Sequence, residues 1–310
     1  LYAGYPTNPV TVLPFGTDIP AGPDNNLSIT ACRGEFEPAS FIISSQKALS
    51  GINITVPALS SAEGNSIPST ATDVRLVKVW YQATDRNDVW LDHFDKTLYP
   101  ELLLKDDSLV RVDYASQMNY LRVTVNGVQQ YVDITSPSAV FPSNAQVRDA
   151  QTLQPFSLAA NENKQIWLTV HVPENTPAGD YRGNITISAS GESPVILNFT
   201  VTVLPFDLEP APLEYAMYYR GMIPSTYGTE TQQTGITSEF KTTQQYAAEM
   251  KDMKDHGVLY PTVYNEFPYW NDASNPYLTA LNSALSLRQQ AGLPNDHVYY
   301  YGLQTGNPTD

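Results

Sequence analysis

Short segments of alternating apolar and polar residues fill the first two thirds of the chain. The clearest segment runs from Ile166 to Val172 and carries an aliphatic residue at every second position. Side chains of a strand point to opposite faces in turn, so this pattern predicts a strand with one apolar face. Pro, Gly, Asn and Ser interrupt the segments, and no helical period precedes about residue 205.

Further strands follow the same pattern. After a turn at Pro173 to Gly179, a strand begins at Tyr181, and residues 188–193 predict a hairpin to a strand over residues 195–203. Earlier strands are predicted near residues 10–13, 27–32, 40–44, 74–81, 121–125 and 131–135. Strands that are apolar on one face need a second sheet to cover that face. Residues 1–205 therefore predict an antiparallel β-sandwich domain.

The pattern changes beyond residue 205, where three prolines within residues 204–212 indicate a linker, placed at residues 206–212. A strand at 215–219 is followed by a helical segment with Phe240, Ala247, Met250 and Met253 on one face, ending at His256 and Gly257. A second strand at 258–264 precedes a helix that begins with Asn275 and Pro276. This helix has Leu278, Leu281 and Leu285 on its inner face and ends near Gly292 and Pro294.

A third strand over residues 297–302 completes the order βαβαβ, which predicts parallel strands joined by crossover helices in a second domain, residues 213–310.

Composition narrows the class of partner. The chain has 17 Lys and Arg against 32 Asp and Glu, a formal charge of -15, which disfavours nucleic acid and anionic lipid surfaces. We expect no membrane insertion, because no apolar run reaches the roughly 20 residues of a spanning helix. The sequence therefore predicts a globular protein whose export signal, if it had one, has been removed.

Three stretches resemble the N-terminal domain of glycoside hydrolase family 123 and its uncharacterised relatives. Ala31 to Phe41 resembles the first strand of that domain, Tyr99 to Leu104 resembles one of its loops, and Gln165 to Thr186 resembles its hairpin. Tyr246 to Gly257 is similar to the first barrel helix of the family. Pro173, Gly179 and Gly183 shape turns and close strand contacts, so these motifs identify architecture rather than activity.

The resemblance implies a β-sandwich followed by a (β/α)8 barrel, of which residues 213–310 would be an incomplete first part with about three strands. It also implies hydrolysis of a β-linked N-acetylgalactosamine, assisted by the substrate's acetamido group and by an adjacent Asp-Glu pair. The 310 residues contain no Asp-Glu dipeptide, and a full barrel needs about 250 residues. We therefore predict no catalytic residue within this chain, and no cofactor.

Active sites of such barrels lie at the carboxyl ends of the strands. Residues predicted to contact a sugar there are Arg220, Asn265, Glu266, Trp270 and Gln304. The Asn265-Glu266 pair could hydrogen-bond a pyranose beside nearby aromatic rings, whereas a surface glutamate next to a packed aromatic is the plainer interpretation. Arg220 could equally form an ion pair with a neighbouring carboxylate.

Other reactive residue types predict little chemistry. The single Cys32 is expected to be a buried thiol. The four histidines, His93, His171, His256 and His297, show no metal-ligand spacing. Asp85, Asp88, Asp92 and Asp95 could form a calcium loop, but a solvated acidic turn is favoured, and no metal site is predicted.

Two functions remain open. The chain is either the N-terminal portion of a secreted glycoside hydrolase acting on N-acetylhexosamine-containing glycans and itself inactive, or an extracellular structural or carbohydrate-binding protein without catalysis. Sequons at Asn26, Asn53, Asn184 and Asn198 agree with a secreted or cell-surface glycoprotein. The unpaired edges of the three parallel strands predict self-association or association with the remaining part of the barrel.

Overall fold

The protein, seen here as a computed structural model, is described at residues 2–4, 11–16, 25–84, 95–135, 140–142, 144–209, 213–223, 240–264 and 276–300. It divides into two units, one formed by Leu1–Val140 and Val147–Glu209, the other by Phe141–Gln146 and Pro210–Asp310.

Unit 1 consists of strands and two short 3-10 helices in the described residues. The strands are β1 (Tyr2–Gly4), β2 (Asn26–Ala31), β3 (Phe36–Ser44), β4 (Leu49–Thr55), β5 (Leu59–Ser60), β6 (Ser66–Ile67), β7 (Thr72–Thr84), β8 (Asp95–Leu104), β9 (Val110–Asp113), β10 (Met118–Val125), β11 (Val128–Asp133), β12 (Phe156–Leu158), β13 (Asn163–His171), β14 (Gly179–Ser188) and β15 (Val195–Val203). The 3-10 helices are η1 (Ser69–Ala71) and η2 (Asp107–Leu109).

These strands form three sheets. A five-stranded sheet has the order β1-β3-β13-β7-β8, a three-stranded sheet has the order β11-β10-β9, and a seven-stranded sheet has the order β12-β4-β14-β15-β2 with β5 and β6 beside it. The pairs are antiparallel except for β15 with β2, which run parallel. The expectation of a wholly antiparallel region is therefore wrong at this pair, where most of unit 1 lies between the two strands as the crossover that parallel pairing requires.

The core of unit 1 lies between the five-stranded and seven-stranded sheets. In β13, Ile166, Leu168 and Val170 are 0% exposed, which confirms the apolar face predicted for this strand. They belong to one continuous core with Tyr181 and Phe199 of the opposite sheet. Burying each such side chain contributes about 1.5–3 kcal/mol. Unit 1 is thus a mostly β-sheet, sandwich-like domain, as the sequence predicted.

Two segments differ from the prediction. Residues 11–13, which lie in the strand predicted near residues 10–13, are not in a strand. Residues Tyr99 to Leu104, which resemble a family loop, lie within strand β8, paired with β7. Lys78 pairs with Leu102 and Val79 with Pro100, so Glu101 is an extra residue in a bulge. The family resemblance had assigned these residues to a loop. Pro100 fits in the strand because β8 is at the edge of its sheet and needs fewer backbone donors.

Two local predictions are confirmed. A side chain at Gly183 would bring its Cβ to 2.7 Å from Leu59 Cδ2, so β14 needs glycine where β5 approaches. Cys32 is buried, and burial raises the pKa of its thiol, as expected of an inert packed cysteine.

An ionic cluster ties helix η2 to the five-stranded sheet. The Asp107 carboxylate accepts from Lys78 Nζ on β7 at 2.8 Å and from Lys164 Nζ on β13 at 2.6 Å. Both lysines are buried, and Glu162 lies 3.9 Å from Lys164. Burial alone would raise the pKa of Asp107, but the two ammonium groups outweigh burial and hold it below its usual range.

We predict that Asp107→Asn lowers the free energy of unfolding by about 3 kcal/mol, because two buried ammonium groups lose their shared carboxylate. Since the pKa of Asp107 is lowered on folding, its stabilisation is present above the unfolded pKa and is lost as pH falls through the folded pKa. Urea unfolding at several pH values should therefore show a weaker acid dependence in this variant. The control is Asp180→Asn, which loses only exposed contacts with Arg182 and Thr202, and an equal loss in both variants would contradict the prediction.

Unit 2 contains two helices and three extended segments in the described residues. The helices are α1 (Thr243–Asp255) and α2 (Pro276–Gln290). Thr262 N donates to Met217 O at 2.9 Å and Tyr260 N to Tyr215 O at 3.2 Å, so segments 213–223 and 258–264 run in the same direction. A parallel bridge joins Val263 to Tyr300, with Val263 N donating to Tyr299 O at 2.8 Å. The described contacts are isolated bridges, and a barrel is not confirmed.

The helices match the predicted positions in part. Helix α1 begins after Thr242, whose side chain and that of Gln245 form a capping box that the sequence argument missed. His256 and Gly257 end it as predicted. Phe240 precedes the helix and forms a bridge with Met222, so its placement on the helical face was wrong. Asn275 lies outside the described residues.

The inner face of α2 also differs from the prediction. Leu281 is buried as predicted, but Leu278 and Leu285 are only partly buried, and the face instead includes Ala280, Ala284 and Arg288.

Arg288 is the least expected member of this core. It is 0% exposed, and its Nη1 lies 3.8 Å from the sulfur of Met250. Within the described part of unit 2, its Nε and Nη2 have no hydrogen-bond partner, nor has the buried hydroxyl of Tyr246. Burial raises the pKa of Tyr246, although the nearby guanidinium opposes this effect. A buried cation without a carboxylate costs folding free energy.

We expect Arg288→Met to raise the free energy of unfolding of unit 2 by about 1 kcal/mol, because an apolar side chain of similar length removes a buried charge that pairs with no described carboxylate. Thermal unfolding of the 310-residue chain measures the effect. The control is Lys251→Met on the exposed side of α1. A strong destabilisation by Arg288→Met would show that the guanidinium has an anionic partner, contrary to this interpretation.

Candidate functional site

The candidate site lies on the three extended segments of unit 2. Because these segments are parallel, their carboxyl ends lie at one edge and their amino ends at the other. The carboxyl ends carry Tyr218, Arg220 and Tyr264, and the amino ends carry Glu214, Tyr260, His297 and Tyr299. Each edge therefore gathers side chains that are distant in sequence.

At the carboxyl edge, an arginine lies against an aromatic pair. The guanidinium carbon of Arg220 is 5.7 Å from the centroid of the Tyr264 ring, a cation–π distance. Tyr218 meets the same ring edge to face, with centroids 6.1 Å apart. Tyr218 is 53% exposed and Arg220 is also exposed. An exposed aromatic surface beside a guanidinium can stack a sugar ring and hydrogen-bond its hydroxyls.

Tyr219, which lies between Tyr218 and Arg220, is held in place by contacts with α1 and with the second segment. The Tyr219 hydroxyl donates to Glu249 Oε2 on α1 at 2.5 Å, and Lys241 Nζ lies 2.9 Å from Glu249 Oε1. Thr262 Oγ1 accepts from Tyr219 N at 2.8 Å and donates to Tyr219 O at 3.1 Å. Burial, reinforced by the Glu249 carboxylate, raises the pKa of Tyr219, so the phenol stays a donor. Tyr219 is thus anchored towards α1, and Arg220 follows it in an extended chain whose side chains alternate.

The amino edge holds a second polar cluster. His297 Nε2 lies 3.0 Å from Glu214 Oε2, and the Tyr299 hydroxyl donates to the same oxygen at 2.6 Å. Asp296 lies 3.2 Å from His297 Nδ1, and Tyr260 stacks on the imidazole with centroids 4.7 Å apart. The hydrogen bond to Glu214 raises the pKa of His297, and hydrogen bonds from Tyr299 and His297 lower the pKa of Glu214. This cluster joins the first segment to the third.

The structure locates one of the five predicted site residues and tests the sugar contact of none. The structure places Arg220 at the carboxyl edge, beside Tyr264. Asn265, Glu266, Trp270 and Gln304 lie outside the described residues, so the sugar contacts of all five stay predictions. His93 and the acidic residues Asp85, Asp88 and Asp92 also lie outside them, and of Asp95 only the backbone is described.

Sequence reasoning missed Tyr218, Glu214 and Tyr299. The predicted order of parallel strands could have identified them, because residues at equivalent ends of parallel strands lie at the same edge of the sheet. His297 was set aside for lacking metal-ligand spacing, yet it opens the third segment as Glu214 opens the first. Within the described residues, no group of three or more His, Cys, Asp or Glu side chains could hold a metal ion. A separate groove between α1 and α2 is lined by Thr243, Asn282 and Ser286 among others.

The fold first defines the class: a sandwich-like β-domain followed by a unit with parallel segments and connecting helices. The family model for the glycoside hydrolase 123 N-terminal domain matches residues 17–189, more than half of the chain. The chain therefore belongs to this family, which confirms the resemblance seen in the sequence.

One solved structure supports the fold assignment. A family 123 glycoside hydrolase from Clostridium perfringens, described for its glycolipid glycan hydrolysis, superposes with a TM-score of 0.55 at 11% sequence identity. The match covers 90% of this chain and 44% of that enzyme, so this chain spans less than half of the enzyme's length. At this identity the likeness concerns the fold alone. A comparison with curated proteins finds no match.

We predict that Glu214→Gln lowers the pKa of His297 towards the ordinary histidine value, because the carboxylate that stabilises the imidazolium is removed. The raised pKa of His297 stabilises the fold below its unfolded value of 6.5 and loses this effect as pH rises through the folded pKa. The lowered pKa of Glu214 stabilises the fold above its unfolded value of 4.5 and loses this effect as pH falls through the folded pKa. The contact is therefore at full strength between these two unfolded values.

Titration of the imidazole signals by NMR measures the effect. The matched control is Asp252→Asn on the exposed side of α1, which removes a carboxylate 3.7 Å from a different histidine, His256. This control should leave the titration of His297 unchanged. An unaltered His297 titration in Glu214→Gln would refute the contact.

Proposed function

We propose that this chain is the N-terminal portion of a secreted glycoside hydrolase acting on N-acetylhexosamine-containing glycans. The observation that carries the proposal is the family match over residues 17–189. The parallel segments, with Arg220 and Tyr264 at their carboxyl edge, add support, since barrel enzymes bind substrate at that edge. In this proposal residues 1–205 are the sandwich, residues 206–212 the linker, and residues 213–310 the first part of a (β/α)8 barrel.

Secretion and glycosylation are part of the proposal. All four sequon asparagines, Asn26, Asn53, Asn184 and Asn198, are exposed on strands of the seven-stranded sheet. Asn198 pairs directly with Asn184 on β14 and with Asn26 on β2, so at most some of these neighbours could carry a glycan together. In the part of the chain that the structure describes, no helix is long and apolar enough to cross a membrane.

The residues of the carboxyl edge have binding roles in this proposal. Arg220 donates hydrogen bonds to sugar hydroxyls, and Tyr218 and Tyr264 offer ring faces to the apolar side of a pyranose. Asn265, Glu266, Trp270 and Gln304 remain proposed substrate contacts. Glycoside hydrolysis ordinarily needs two cooperating carboxyl groups or a carboxyl group paired with the substrate's acetamido group. Since no Asp-Glu dipeptide is present, we propose that the 310-residue chain binds but does not hydrolyse.

We predict that the purified chain releases no product from an aryl β-N-acetylgalactosaminide above the buffer rate. Chromogenic release over a range of pH values is the measurement. Hydrolysis that disappears in Glu266→Gln would contradict the prediction and make Glu266 the acid. Hydrolysis that persists in this variant would contradict it too, and would place the catalytic group elsewhere.

The alternative is a carbohydrate-binding protein of the cell exterior without catalysis. The Arg220–Tyr264 contact agrees with this alternative, because an arginine beside an aromatic ring can bind a sugar without a catalytic pair. NMR titration of the complete gene product with an N-acetylgalactosamine oligosaccharide separates the two proposals, because only a hydrolase would consume the ligand.

Association is also proposed. Several large apolar side chains of the parallel segments are exposed: Leu213, Tyr215, Met217, Leu259 and Val298. Parallel sheets are normally covered on both faces. We expect the 310-residue chain to self-associate unless the rest of its own barrel covers this surface. Size-exclusion chromatography with light scattering tests this, and a monodisperse monomer at high micromolar concentration would contradict it.

A further inference from the structure

The three-stranded sheet has one buried and one exposed face. Alternating residues such as Val110 and Val123 are buried on one side. On the other side, hereafter the platform, Arg111 of β9 lies directly opposite Tyr120 of β10, and Arg122 of β10 lies directly opposite Tyr131 of β11. The platform is therefore polar and aromatic.

Arg111 is held between two tyrosine rings. Its guanidinium carbon lies 4.5 Å from the ring centroid of Tyr120 and 4.5 Å from that of Tyr131. Strands β9 and β11 flank β10, and such outer strands lie roughly 9.6 Å apart. The Arg111 side chain must therefore extend across the central strand to reach both rings.

The rings themselves are fixed. The Tyr131 hydroxyl donates to Ser108 O at 2.6 Å, and the Tyr120 hydroxyl lies 3.5 Å from the sulfur of Met118. The guanidinium is consequently confined by groups that are already anchored. A confined donor loses less conformational entropy when a ligand binds.

The two arginines of the platform differ in their partners. Arg122 donates to Asp106 at 2.7 Å and to Ser108 at 2.6 Å, so its charge is used within the fold. Arg111 is exposed and forms no salt bridge or hydrogen bond within the described residues. Its charge acts on the Asp113 carboxylate from a longer distance, since hydrogen bonds from Ser116 and, to a smaller extent, the charge of Arg111 lower the pKa of Asp113. The nearby Asp113 carboxylate instead accepts from the backbone amides of Ala115 and Ser116 at 3.0 and 3.1 Å.

A guanidinium held in this way selects an oxyanion. The rings lie against the guanidinium, and its unused N–H donors can form paired hydrogen bonds with a carboxylate or a sulfate. The chain has a formal charge of -15, which repels acidic ligands in general. An exposed cation that forms no salt bridge with any described residue opposes this repulsion locally. Gln129 and Thr124, which pair with each other across the same face, offer donors and acceptors for hydroxyl groups.

We propose that the platform binds an acidic sugar residue of a glycan, with Arg111 holding its carboxylate or sulfate group. The anion is assigned by the geometry of Arg111, whereas the sugar rests on the proposed function of the chain. Unit 1 would then bind glycans in addition to the carboxyl edge of unit 2, and the glycan bound by the platform would be acidic.

Affinity electrophoresis of the 310-residue chain tests the proposal with three polymers that contain no N-acetylhexosamine: polygalacturonate, which carries carboxylates alone, dextran sulfate, which carries sulfates alone, and neutral dextran. Retardation by one or both acidic polymers, and not by the neutral one, is expected, and the two acidic arms separate the anions. Arg111→Gln should weaken the retardation constant about tenfold or more, as expected for the loss of a charge-assisted hydrogen-bond pair. Arg111→Lys should restore only part of it, because lysine keeps the charge without the planar fork.

Arg182→Gln is the matched control, since it removes the same charge from an exposed arginine on β14 of the same unit. Equal weakening in Arg111→Gln and Arg182→Gln, or no retardation by either acidic polymer, would overturn the proposal. If inorganic sulfate abolished the retardation at the same concentration as the acidic groups of the polymer, the platform would bind a simple anion. That result would overturn the assignment of a sugar ligand. Since none of these results depends on hydrolysis of N-acetylhexosamine, failure here is distinguishable from failure of the proposed function.

Discussion

The burial of β13 between its two neighbours is the constraint on which unit 1 depends. β13 pairs along its whole length with β3 and over five residues with β7, while Ile166, Leu168 and Val170 face the opposite sheet without exposure. Leu→Ala substitution at such a position costs about 2–5 kcal/mol, which approaches the whole stability of many domains. The strand also carries Lys164, which contacts Asp107, so β13 contributes residues to both the apolar core and the ionic cluster.

Unit 2 obeys a different constraint, namely that neighbouring side chains of an extended segment point to opposite sides. Tyr219 is anchored to Glu249 of α1, and the next residue, Arg220, reaches the Tyr264 ring. The position of the candidate sugar-binding arginine thus depends on a packing contact made by its neighbour. The same logic applies on unit 1, where alternation in β9 to β11 puts valines inward and the Arg111 platform outward.

Alternation made most of unit 1 predictable, because a strand buried on one face leaves a period of two in its sequence. The predicted strand at residues 195–203 agrees with β15, and the glycine at position 183 was assigned to a close strand contact that the structure contains. Strand β8 was not predicted, because its residues 99–104 were assigned to a loop by resemblance; the bulge at Glu101 also interrupts its alternation. The parallel pairing of β15 with β2 was also out of reach, since register between distant strands has no local signature.

The site was less predictable than the fold. Arg220 could be proposed from its place at the end of a strand, but the ring that it contacts could not, since Tyr264 lies far along the chain. Arg111 attracted no attention for the same reason, because the contact joins three strands through two turns. Arginine is usually exposed, but Arg288 is buried. The hydrophobic period of α2 therefore predicted an inner face of leucines and did not include the buried cation.

The central claim is that unit 1 folds by itself around β13. The direct measurement is urea unfolding of residues 1–209, followed by native-state hydrogen exchange of the same fragment. We expect a β-rich circular dichroism spectrum, one cooperative transition, and amides of residues 165–170 that exchange only through global unfolding. A helix-rich spectrum, a gradual transition, or β13 amides that exchange as fast as those of an unfolded chain would contradict the claim.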